Sequence, residues 1–176
     1  MIPFVDKAMI AVSGHFHLEV ERRGRIVQVE DRPNQIVNSY KKILPLALGA
    51  ESDGHLTMFA MGDGHHVGGP GQAGGPPYTP IAPSIDDVAL EAQLYEKAIA
   101  SRAFPLDRIS VVFSLDINYN EGNIYLPETY YTEFGMFTPD IAWNGAIPLM
   151  YCIASTAGVM KDQNTIFHVS WTISFT

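Results

Sequence analysis

The residues best suited to chemistry sit in Gly62-Asp63-Gly64-His65-His66. An acid and two histidines so close together are the donor types a divalent ion takes. No further ligand follows at helical or ribbon spacing, so the expectation is no metal and no cofactor, with Asp63, His65 and His66 the candidates should one bind. His15 and His17 share a strand face at i, i+2, a spacing compatible with a metal and equally ordinary for surface histidines. The glycines after Gly62 suggest a phosphate loop, but there is no GK[ST] and no GxGxxG opening a helix. Glu121, Glu128 and Glu133 offer carboxylates of the kind that cleave glycosides, although acids at strand ends and turns are common. Cys152 and His168 fall on strands that could be adjacent, and both read as structural. Tyr130, Tyr131, Trp143 and Asn144 could stack on a sugar; packing and turn chemistry account for the same residues. No Ser-His-Asp or Cys-His arrangement is legible, and no catalytic residue is expected.

The elements that must hold these residues are strands. Thr165–Thr176 alternates: Phe167, Val169, Trp171, Ile173 and Phe175 share one parity, and His168, Ser170, Thr172 and Ser174 the other. Such alternation predicts a long strand inside a sheet. His15–Glu21 and Arg25–Asp31 alternate around Arg22-Arg23-Gly24 and predict a hairpin that Pro33-Asn34 ends. Further strands are predicted over Leu56–Met61, Arg108–Asn120, Tyr130–Phe137, with Gly135 as a possible bulge, and Ile147–Thr156. Two short helices are predicted. One is capped by Asn38 or Ser39 and stopped by Gly49, with Pro45 breaking or kinking it; the other starts at Ser84 in SIDDVALEAQLY, where Asp87 completes a capping-box-like start. Glu96–Phe104 reads as either strand or helix tail.

Residues 62–83 hold seven glycines and five prolines, which predicts a long contact loop. Residues 1–14 read as an N-terminal arm or edge strand, and 15–176 as a single β-rich domain. The strands follow one another without interleaved helices, which argues against a doubly wound sheet and for an antiparallel β-sandwich or jelly-roll-like body. Phe4, Val5 and Met9 in the arm, with Val67, Pro70 and Tyr78 in the loop, are the expected interaction residues.

Composition narrows the functions. The 176 residues are 47% hydrophobic and 17% charged, ample for one core. No apolar run approaches the roughly 20 residues that span a bilayer, and Met1–Gly14 makes a poor signal peptide. The single cysteine cannot close an internal disulfide. Residues 1–42 carry seven basic residues against five acids, net +2, while the remainder carries four against fourteen, net −10. A body this acidic is not expected to bind nucleic acid directly, and no membrane partner is expected. The opposed charge suits head-to-tail contacts between copies.

Several short motifs recur in order: Asn34-Gln35-Ile36-Val37-Asn38, Met61-Gly62-Asp63-Gly64, Leu90-Glu91, Val111-Val112-Phe113, Glu133-Phe134-Gly135-Met136-Phe137 and Trp171-Thr172-Ile173-Ser174-Phe175. Together, over residues 14–176, they resemble a group of tailed-bacteriophage virion proteins of tail fibre or baseplate type. The Gly/Pro/His insertion after Gly64 departs from that group's pattern. The resemblance implies a non-enzymatic structural subunit, present in repeated copies in the virion tail and assembled in the bacterial host cytoplasm. Its partners would be copies of itself and other virion proteins. A capsid decoration or cement protein is the alternative, and a glycan- or receptor-binding module a further one.

Overall fold

A computed structural model describes residues 11–41, 43, 55–71, 76–106, 109–125, 127–139 and 148–176. Its elements are β1 (Val12–Arg22), β2 (Arg25–Ile36), β3 (Met58–Gly62), β4 (Gln93–Ala98), β5 (Ser101–Ala103), β6 (Ser110–Ile117), β7 (Thr129–Phe137), β8 (Met150–Lys161) and β9 (Thr165–Phe175). All strand pairings are antiparallel, and the sheet order is β4-β3-β7-β8-β2-β1-β9-β6-β5. The two outermost strands, β4 and β5, are consecutive in the chain and separated only by Ile99 and Ala100. Ile99 N–H donates to Thr57 O beside β3, and Ala100 N–H to Ser114 O on β6. The sheet therefore curls until its two ends meet across a two-residue link.

The curl brings two walls face to face. Phe16 and Leu18 of β1 and Phe167, Val169, Trp171 and Ile173 of β9 point inward and are buried. Opposite them stand Phe59 of β3 and Phe134 and Met136 of β7. The Phe16 ring lies 5.0 Å from that of Phe134 and 4.8 Å from Trp171, and Phe59 lies 6.5 Å from Trp171. These offset and tilted arrangements are the favoured ones for aromatic rings. The alternation in the final strand is thus realised: β9 sits between β1 and β6, with its polar parity on the outer face.

β7 is buried on both faces. Its outward side carries Phe137, which joins Val37, Ala60, Leu90, Met150 and Ile153 in a second, smaller cluster. Leu90 belongs to the stretch 84–92, which lies across the outside of β7 as a strap.

Several expectations are corrected. The helix predicted from Ser84 is absent: one turn forms there, with Asp87 N–H on Ser84 O, and the chain then runs extended into β4. Its amides at Glu91 and Ala92 donate to a side chain of β7, so the helical ladder never starts. Tyr40, Lys41 and Ile43 form a helical turn; the rest of that predicted helix lies outside the described residues. Pro33 does not end β2, which continues to Ile36. β2 pairs with β8 only at Gln35 and Ile36, so the missing proline N–H interrupts no second ladder. Val12–Gly14 belong to β1 rather than to an arm; residues 1–10, with Phe4, Val5 and Met9, lie outside the described residues. The bulges of β7 fall after Tyr131 and Met136, not at Gly135, whose bare Cα instead makes room for Leu90 and Phe137.

Replacing Trp171 by alanine removes the ring shared by both walls and should cost about 3–5 kcal/mol. Thr172→Ala, on the outer face, should stay within about 0.5 kcal/mol. Urea unfolding of the two variants reads the difference.

Candidate functional site

Glu133 stands in an otherwise apolar strand, TYYTEFGMF, and its side chain is 0% exposed. A buried carboxylate needs partners for both oxygens. Oε1 accepts the Ala92 N–H at 2.7 Å, and Oε2 accepts the Glu91 N–H at 2.9 Å. Oε2 also lies 2.8 Å from His65 Nδ1. The other His65 nitrogen, Nε2, lies 3.0 Å from Asp87 Oδ2, and the His65 N–H donates to Glu91 Oε2 at 2.7 Å. One imidazole thus bridges an acid of β7 and an acid of the strap.

Local sequence makes this geometry possible. Gly62 pairs with Glu133 across β3 and β7, and a Cβ there would run into Ala92 O and the Glu133 carboxylate. Gly64 meets the same obstacle, so glycine at both positions lets the loop lie flat on the acid. Thr132 Oγ1 donates to Gly64 O at 2.6 Å, fixing the loop again. His65 takes a left-handed backbone, φ 53°, which aims its ring back at β7.

The hydrogen bond to Glu133 raises His65 to about 9, with Asp87 adding to it and desolvation opposing both. His65 is therefore an imidazolium at neutral pH, occupied at both nitrogens by carboxylates. His66 turns the other way. It is 2% exposed, its ring nitrogens lie 3.1 and 3.3 Å from the carbonyl oxygens of Asp63 and Val67, and its ring packs 4.5 Å from that of Tyr78. The Asp63 carboxylate accepts the Gly71 N–H, and burial pushes it up from the usual aspartate value. The three metal candidates are thus drawn to three different sets of partners. Among the described residues no group of three or more His, Cys, Asp or Glu is placed to hold a metal ion.

The remaining sequence candidates separate as well. Glu121 is held below the usual glutamate value by Lys97 and the Asn118 N–H, and Glu128 accepts from the Tyr130 hydroxyl. Glu121, Glu128 and Glu133 are thus each held by a different set of partners. Cys152 and His168 are not on adjacent strands, since β8 borders β7 and β2 while β9 borders β1 and β6. Cys152 is fully buried, and burial pushes its thiol well up. His168 lies on the outer face between Asp116 and Glu21, where His15 and His17 both meet Asp31. Tyr131 is buried with its hydroxyl on Gly122 O, so it offers no stacking face; Trp143 and Asn144 lie outside the described residues. In the loop, Val67 and Pro70 are exposed. Tyr78 is spent within the chain: its N–H donates to Ala157 O, its ring packs on His66, and a Cβ at Gly158 would strike it.

Sequence reasoning missed two buried charges. From sequence Glu133 reads as a carboxylate of the glycoside-cleaving type and as the start of the Glu133–Phe137 motif, although an acid inside an apolar strand already signals a buried partner. Lys161, ending β8, donates from Nζ to Asn118 O, Asp162 O and Thr165 O at 2.9, 3.1 and 2.8 Å. It ties the turn after β6 to the turn before β9, and burial pulls it down to about 8.

No family model, characterised protein or solved structure matches the chain. The resemblance to tailed-phage proteins therefore rests on its motifs alone. Three of them, Met61–Gly64, Leu90-Glu91 and Glu133–Phe137, meet at the Glu133 carboxylate.

Glu133→Gln keeps the shape but puts an amide where two N–H donors converge, and should cost about 3 kcal/mol, as breaking a buried pair does. Limited proteolysis should then cut between Gly62 and Ala92 before the sheet unfolds.

The pH dependence has a definite sign. His65 goes from an ordinary 6.5 to about 9, so its contribution is complete below pH 6.5 and is lost as pH rises through 9. Lys161 opposes this: moved from 10.5 to about 8, it binds fewer protons when folded and favours the fold as pH rises across that interval. The readout is therefore the gap in urea midpoint between the native chain and His65→Ala. It should be widest near about pH 6 and narrow towards about pH 10.

Proposed function

We propose that this chain is a non-enzymatic structural subunit of a tailed-phage virion, present in repeated copies in the tail as part of a fibre, baseplate or tail tip. The observation that carries this reading is the convergence at Glu133. Motifs that resemble the phage group and lie far apart in the chain make one buried staple, which fastens the Gly62–Pro83 loop and the 84–92 strap to β7. Residues spent in this way serve a rigid body. The finer architecture belongs to the same proposal: the two facing walls form a β-sandwich of jelly-roll type around the Phe16, Phe59, Phe134 and Trp171 rings.

Function then lies in surfaces. Val67, Ile81, Ile85 and Val88 leave apolar side chains exposed along the loop and the strap. Exposed apolar groups gathered on connecting segments suit contacts with neighbouring subunits. The partners are copies of this chain and other virion proteins, and the segment before β1 with the loop supplies the contacts. Capsid decoration is the competing location for the same rigid body.

Gold-labelled antibody on intact particles, viewed by negative-stain electron microscopy, should place label at the tail or its tip. Label over the capsid replaces this reading with a cement protein, and particles free of label from an antibody that binds the purified chain overturn the phage assignment.

A further inference from the structure

The charge of this chain is parted along β2. At the start of that strand Arg22, Arg23 and Arg25 surround the β1–β2 turn, and with Val27 they line an open hollow of about 590 Å³. Arg22 pairs with Asp162 at 2.8 Å, and Glu21 is turned to His168, so three guanidiniums face one acid. Among the described residues the side chains of Arg23 and Arg25 make no hydrogen bond or ion pair. Arg23 also holds a left-handed backbone, φ 53°, beside Gly24 at φ 77°. Two-residue hairpin turns of this kind favour asparagine and glycine, so an arginine stands here against the local preference, exposed to solvent. Ile26 and Val27, 46% and 59% exposed, add apolar surface to the same tip.

The far end of β2 meets the strap. Two residues after Ile36, Asn38 donates from Nδ2 to Asp86 Oδ1 at 2.7 Å. Asp86, Asp87 and Glu91 lie in the strap, close to Asp63 and Glu133. Lys41, which donates to Asn38 Oδ1, and the His65 imidazolium oppose them, so five acids stand against two cations, net −3. Ile85 and Val88 flank the two aspartates and are 48% and 71% exposed in the folded chain. β2 has twelve residues, which at about 3.3 Å each sets the basic tip about 36 Å from the acidic strap. The tip cannot reach the strap of its own chain.

We infer that the β1–β2 tip docks on the strap of a second copy, with Arg23 and Arg25 set against Asp86 and Glu91, and Ile26 and Val27 against Ile85 and Val88. Opposite charge steers the two surfaces together and fixes their register. The exposed apolar side chains of the tip are aliphatic, which suits a protein surface; a sugar or a base calls for an aromatic to stack on. The surfaces differ, so the contact is heterologous, and its repetition joins copies head to tail along the direction of β2. This inference rests on reading the chain as a repeated subunit and adds a contact to those of the loop and the segment before β1.

The test mixes two charge-reversed forms of the full chain. Arg23→Asp with Arg25→Glu reverses the tip, and Asp86→Lys with Val88→Lys reverses the strap; all four native residues are exposed. At low ionic strength the native chain should scatter light as a multiple of the 19.4 kDa of one chain, and added salt should lower that mass. Each reversed form alone should stay at the mass of one chain. Equimolar mixing should restore the multiple, because reversed tip then meets reversed strap and native tip meets native strap. A native chain of single mass, an unchanged multiple in either reversed form, or a mixture that stays single overturns the inference. A second measurement needs no reversal: Arg23→Cys with Val88→Cys, oxidised and run without reductant, should give covalent ladders, and Arg23→Cys alone nothing longer than a dimer. The native Cys152 is fully buried and does not compete. No ladder, or a disulfide closed within one chain, also overturns it. Gold at the tail with no ladder defeats this contact alone, whereas a ladder with unlabelled particles defeats the phage reading and leaves the contact standing.

Discussion

The structure depends on a carboxylate that water cannot reach. Glu133 is buried on the outward face of β7, and its charge must be answered by the chain itself. Two amides of the strap and one imidazolium of the loop answer it. These groups come from three separate places in the sequence, so the acid fixes where each must run. The loop therefore cannot lift from the sheet without uncovering an ion, and the strap cannot coil into a helix without withdrawing two donors. A segment rich in glycine and proline is thereby anchored at its start, next to the core strand that carries the acid.

Lys161 solves the converse problem with backbone alone. Its ammonium is wrapped by four carbonyl oxygens from two turns, and the Phe167 ring lies 5.9 Å from Nζ. Arg32 makes a third inward contact, pairing with Glu30 and donating to Ser155 O where β2 leaves β8. Each of these groups closes a place where strand pairing stops: the loop after β3, the turns at the ends of β6 and β8, and the divergence of β2 from β8. Apolar burial builds the two walls, and the paired charges close the joints between them.

What was legible in the sequence follows this division. Strands with one buried face and one wet face announce themselves by parity, so β1, β6 and β9 could be read directly. The Arg23-Gly24 turn was readable for the same local reason, and both residues take positive φ. Parity fails for β7, which is buried on both sides and shows no alternation. It fails for the strap too: Ser84 with Asp87 is a sound local helix start, but a tertiary acceptor takes the amides that would continue it. Glu133 was visible as an oddity, an acid among aromatics, yet its partners lie at sequence distances of 41, 42 and 68 residues. A single sequence does not show which distant segment answers a buried charge. The separation of Cys152 from His168 was hidden likewise, because strand order is set by how the walls close and not by order along the chain.

The place of β9 has a consequence for synthesis. It emerges after the other eight strands and inserts between β1, the first to appear, and β6. Until it arrives, β1 and β6 each keep an unpaired edge on the ribosome, and Phe16, Leu18 and Phe113 lack their lateral neighbours Trp171 and Val169. Pairs such as Phe16 with Trp171 join residues at opposite ends of the chain, and contacts of that separation make folding slow. The sheet thus keeps those sticky edges until β9 clears the exit tunnel. A cell that makes many copies at once must keep those edges from finding one another, so this fold places its main demand on chaperones before the finished body exists.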